Sequence, residues 1–168
     1  VNARSKRWLT LLLAVATALF LVYSSPAALR DAWERGGIYL FSQECLDDLP
    51  RRLTGPGKLR FVVQPSVAIL LGIAAGRRDA RAGHPPYLYA LVLGKLPRAE
   101  LLRSAARDIV HVVLLGILLD AIAQRIMFGV VHPVVALLVG PVLITLPYAA
   151  ARALANRVFS ARNPPRGS

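Results

Sequence analysis

Apolar residues in this chain run in long blocks nearly empty of charge, and the charges are bunched between the blocks. A soluble helix carries polar residues along its length because one face must stay wet. The blocks Trp8 to Tyr23, Phe61 to Ala75, Ile109 to Met127 and Pro133 to Ala153 have no such face. In lipid every backbone N–H and C=O must be satisfied within its own segment, so blocks of this kind cross as helices. The pattern predicts an all-α integral membrane protein with four transmembrane helices near 8–24, 61–76, 109–127 and 133–153. Short amphipathic interfacial helices join them in a single membrane domain over 1–156, and 157–168 reads as a flexible basic tail. Composition agrees, since 55% of the 168 residues are hydrophobic and the mean hydropathy is +0.50.

The individual blocks carry further detail. The first is about 24 Å long as a helix, with Trp8 and Tyr23 at its ends, where interfacial aromatics belong. Its basic lead-in and Ser24-Ser25-Pro26-Ala27 also fit a cleavable signal peptide. The length of the apolar stretch and Pro26 inside the would-be site favour an uncleaved anchor. The second block is only about 23 Å long, and Arg60 and Arg77 are expected to extend it by snorkelling. Gln64-Pro65 falls in its first turns, and a re-entrant loop is the alternative to a span. The third block reaches about 28 Å. The fourth starts at Pro133, and Pro141 and Pro147 should kink it.

Between the spans, Ser25-Pro26 reads as the cap and first residue of a short helix ending at Arg35 before Gly36-Gly37. Ser42 should cap another, stopped by Pro50, with Leu46, Leu49 and Leu53 on one face. Tyr87 to Gly94 is too short to span and is expected to lie in the interface, with Tyr87 and Tyr89 at headgroup depth. From Pro97 an amphipathic stretch puts Leu101, Leu102, Ala105 and Ile109 on one side and Arg98, Arg103 and Arg107 on the other. It should run straight into the third span.

Orientation follows from the basic residues. Three precede the first span, six lie in Ser24–Arg60, seven in 77–108, one (Arg125) near the last turn, and four from Arg152 onward. With both termini cytoplasmic, fourteen fall inside and seven outside, the sense the positive-inside rule requires. The formal net charge of +12 would otherwise suggest nucleic acid. These charges flank apolar blocks instead of forming a polar surface with stacking aromatics, so no nucleic-acid partner is expected. The expected partners are a bilayer with anionic headgroups and either another membrane protein or further copies of the chain.

Candidate chemistry is sparse. Cys45 is the only cysteine, so no internal disulfide or CxxC site can form. His84, His111 and His132 lack metal-ligand spacing, and no metal or cofactor is expected. No catalytic motif is present. Asp120 is the acid deepest in an apolar block, which makes it a functional candidate by default. Gln124 is one turn later and Arg125 beside it, with His111 and Gln64 as further intramembrane polar residues. The plainest role for Asp120 is a structural hydrogen bond to Gln124 or to another helix. Proton relay is the alternative. Glu44, Asp47 and Asp48, close to Arg51 and Arg52, read as a solvated ion-pair cluster. Arg77, Arg78 and Arg81 would meet anionic headgroups or a docking partner.

The stretch LGIAAGRRDARAGHPPYLYAL, residues 71–91, resembles segments of bacterial membrane proteins, a resemblance that implies no activity. The expectation is a multi-pass protein of the cell inner membrane, acting without catalysis as an accessory, assembly or scaffold subunit. A chain with four short spans buries Asp120 more easily if partner helices cover it. The alternative is a small oligomeric transporter or proton-coupled channel subunit that uses Asp120.

Overall fold

The computed structural model describes residues 3–94 and 96–162. In chain order these form α1 (Ala3–Arg35), a 3-10 turn (Tyr39–Phe41), α2 (Gln43–Asp47), α3 (Leu49–Thr54), α4 (Arg60–Arg81), α5 (Tyr87–Leu93), α6 (Arg98–Phe128) and α7 (Pro133–Arg162). No strand occurs among the described residues, and α1, α4, α6 and α7 are each long and apolar enough to cross a membrane. The protein is an all-α, multi-pass membrane protein.

All four helices outrun their apolar blocks, because a helix ends where its backbone hydrogen bonding is broken and not where hydropathy falls. α1 stops at Gly36, whose φ of 71° is a left-handed conformation suited to glycine. Gly36 N–H donates to the Trp33 carbonyl and Gly37 N–H to that of Ala32, which closes the last turn. α4, at 22 residues, is about 33 Å long, so the short second block is the N-terminal two-thirds of a full-length helix and not a re-entrant loop. α7 continues to Arg162, through the start of the stretch expected to be a tail; residues 163–168 lie outside the described residues.

Two local expectations are overturned. Pro26 lies inside α1 and does not open a new helix. Ser24 and Ser25 donate their hydroxyls to the carbonyls of Phe20 (2.8 Å) and Leu21 (2.7 Å), the habit of serine within a helix. Ser42 does cap α2, accepting from Cys45 N–H at 3.3 Å. Pro50, however, begins α3 instead of ending α2, because its missing N–H is harmless in a first turn. Elsewhere the amphipathic stretch after Pro97 runs without a break into the third span.

The chain divides into two compact units, residues 3–63 with 111–142, and residues 64–110 with 143–162. In the first, Ile117, Ala121, Val131 and Ala136 form a core joined by Phe20, Leu21 and Val113, while Tyr39, Cys45 and Val135 form another with Leu40 and Val139. In the second, α4 and α7 meet with almost nothing between their backbones. A Cβ on Gly72 would lie 2.5 Å from the Tyr148 carbonyl oxygen, and one on Gly76 would lie 2.3 Å from that of Arg152. Ala151 and Ala155 face these glycines. Small residues four apart on both helices allow this approach, which in membranes replaces the hydrophobic effect as a source of association.

Candidate functional site: two buried ion pairs

In the first unit α6 carries Asp120 inward, where it is 1% exposed. Gln124, one turn on, donates its Nε2 to Asp120 Oδ2 at 2.6 Å and accepts the His132 backbone N–H on Oε1 at 2.8 Å. The other carboxylate oxygen faces Arg60, whose Nη2 is 3.0 Å from Oδ1. The Arg60 side chain is 4% exposed, so it turns inward and does not snorkel. None of its three nitrogens, nor Asp120 Oδ1, makes a hydrogen bond of good geometry among the described residues, so the two groups meet as an ion pair held by charge alone. Phe61 covers the guanidinium at 4.8 Å. Asp120 is thus taken out of its surroundings by its own chain, with no help from partner helices.

The same unit holds a second polar group around the turn before α7. The His132 ring stacks on Tyr39 at 3.8 Å between centroids, and its Nδ1 is 3.7 Å from Asp31 Oδ2. Tyr39 donates its hydroxyl to Asp48 Oδ2 at 2.6 Å, and Arg52 Nη2 approaches that hydroxyl at 3.4 Å. The Arg52 guanidinium lies over both Tyr39 and Phe128. Burial, reinforced by the Asp48 bond and opposed by Arg52, pushes the Tyr39 hydroxyl up to about 12. Burial also lowers His132 below its usual value; Asp31 and Asp48 oppose this shift and Arg35 and Arg52 add to it. Asp48 therefore belongs to a buried network, whereas Glu44 pairs with Arg35 at the exposed edge.

The second unit is built around Arg152 of α7. Its Nε donates to Asp79 Oδ2 at 2.6 Å and its Nη2 to Oδ1 at 3.0 Å, the two-pronged geometry of a guanidinium on a carboxylate. Nη2 also reaches Ser104 Oγ at 2.9 Å, and Nη1 reaches the Tyr148 hydroxyl at 3.1 Å. Tyr148 donates in turn to Asp108 Oδ2 at 2.9 Å. Tyr87 lies beneath the guanidinium at 4.5 Å as a buried platform, and burial raises its hydroxyl. A polar recess of about 240 Å³ adjoins the pair, lined in part by Glu100, Arg107 and His84.

The remaining sequence candidates scatter. Arg125 is exposed and donates to the Gly129 carbonyl. His111 is half-buried, and Gln64 is buried with neither amide atom bonded. Arg77 packs on Phe159 at 4.7 Å and Arg78 pairs with Asp108 at 3.0 Å, while Arg81 is exposed. Two of the three residues assigned to headgroups are thus engaged within their own unit. No cluster of three or more His, Cys, Asp or Glu that could hold a metal occurs among the described residues.

Sequence reasoning found Asp120 and Gln124 but missed Arg60 as partner and the Asp79–Arg152 pair altogether. The overlooked signal was the small-residue spacing of Gly72 and Gly76 against Ala151 and Ala155. It brings α4 against α7 and so sets Asp79, three residues after Gly76, beside Arg152. Compared with known proteins, the chain matches no family model, no curated protein and no solved structure.

Proposed function

We propose that this membrane protein is a non-enzymatic accessory, assembly or scaffold subunit of a complex in a bacterial-type inner membrane, with both termini cytoplasmic. The supporting observation is how it treats its polar groups and its first helix. Each unit closes an acid, the buried Asp120 or the half-buried Asp79, on a buried arginine of the same unit, an arrangement that serves structure. A proton relay would need a carboxylate in exchange with water, and Asp120 is enclosed, bonded to Gln124 through one oxygen and facing the Arg60 charge with the other. α1, by contrast, has only Thr17 and Ser24 buried among its described side chains, and so leaves nearly all its apolar surface for lipid or another protein.

Photo-crosslinking from Leu19, on the exposed face of α1, tests this reading in native membranes. The expected result is a discrete adduct with one membrane protein or with a second copy of the chain. Lipid adducts alone, together with a monodisperse monomer in mild detergent, would sink it. A reporter fused at Ser168 that reads as periplasmic would overturn the orientation.

A further inference from the structure

A cavity of about 320 Å³ opens between the C-terminal third of α1 and the end of α6 with the turn after it, within the first unit. Tyr23, Ser24 and Arg30 form one wall, and Arg125 and Val131 form the other. Two arginines and no acidic residue are among its lining. Arg30 is exposed and takes part in none of the ion pairs among the described residues, although Asp31 beside it is paired with Arg35. Arg125 is held over the turn by its bond to the Gly129 carbonyl.

The depth of the cavity matters as much as its charge. Tyr23 closes the first apolar block and Arg125 lies two residues before the end of the third, the level at which hydrocarbon gives way to headgroups. Leu19, Val22 and Ile126 are exposed nearby, offering apolar surface to acyl chains. We infer that this cavity binds the phosphate of an anionic phospholipid, held between Arg30 and Arg125. Guanidinium groups recognise phosphate oxygens through paired N–H donors, which in the orientation proposed above would act on a headgroup of the outer leaflet. With no acid in the lining, two cations attract a headgroup of net negative charge over a zwitterionic one.

The test is native mass spectrometry of the full chain in mild detergent, titrated separately with phosphatidylglycerol, phosphatidylcholine and inorganic phosphate. The double variant Arg30→Gln/Arg125→Gln is expected to bind phosphatidylglycerol roughly tenfold more weakly, with phosphatidylcholine unchanged. Arg30→Lys/Arg125→Lys should retain most of the affinity, and Arg51→Gln, outside the cavity, all of it. If the double variant unfolds by circular dichroism, Arg30→Gln alone serves, because Arg30 makes no bond that holds the turn. Phosphatidylglycerol binding indifferent to these glutamine substitutions overturns the site. Displacement of the lipid by equimolar inorganic phosphate overturns its assignment to a lipid.

Discussion

Arg60 and Arg152 are both buried arginines facing an aspartate, and their surroundings differ in kind. Arg152 grips Asp79 with two N–H groups and spends others on Ser104 and Tyr148, over the face of Tyr87. Arg60 meets Asp120 as an ion pair through one nitrogen, and none of its three nitrogens has a hydrogen-bond acceptor of good geometry among the described residues. A buried ion pair offsets its desolvation only when the remaining donors and lone pairs are satisfied. By that criterion the Asp79–Arg152 clamp stabilises its unit, while Asp120–Arg60 is close to neutral against an apolar replacement.

The largest test of this difference is Arg152→Met, which leaves Asp79 and the Tyr148 and Ser104 hydroxyls without their donor. Thermal or chemical unfolding in detergent should show a loss of about 3–5 kcal/mol. Gly76→Leu attacks the same unit through its packing, since the new side chain starts 2.3 Å from a backbone oxygen of α7. A loss of about 1–3 kcal/mol is expected, with unfolding again the measurement.

The sharpest comparison is between double replacements. Arg60→Met/Asp120→Leu should change stability by no more than about 1 kcal/mol, or raise it. Arg152→Met/Asp79→Leu should still cost about 2 kcal/mol because Ser104 loses its donor and Tyr148 keeps only its bond to Asp108. Equal losses in the two doubles would erase the distinction between the two pairs.

The smallest effect concerns pH. His132 titrates lower in the folded chain than its ordinary 6.5, so the unfolded chain binds the proton more readily. Its contribution is complete above about pH 6.5 and is lost as pH falls through the lowered value. Melting followed from about pH 7.5 to about pH 5 should therefore show a falling midpoint. His132→Phe, which keeps a ring against Tyr39, should flatten that slope.

Some of this was legible in the residue pattern. Acids are rare in long apolar blocks, so Asp120 stood out, and the i, i+4 spacing put Gln124 within its reach. Arg60 was misassigned because an arginine at the edge of an apolar block ordinarily snorkels outward. Asp79 lay hidden in a run of arginines that read as a headgroup-facing surface. Tyr87 reads as interfacial because its short apolar run cannot span, and length alone does not reveal its burial beneath a guanidinium.

The segregated blocks by themselves determined that the chain is helical and crosses a membrane four times, because lipid leaves the backbone no other way to satisfy its polar groups. Where each helix ends, and which charge meets which, depended on tertiary structure. Hydropathy reports the solvent around a segment, whereas an ion pair between residues 73 positions apart depends on how closely two backbones approach. In the second unit that distance is set by two glycines and two alanines, and it turns Arg152, which reads in sequence as a flanking charge, into the centre of a buried network.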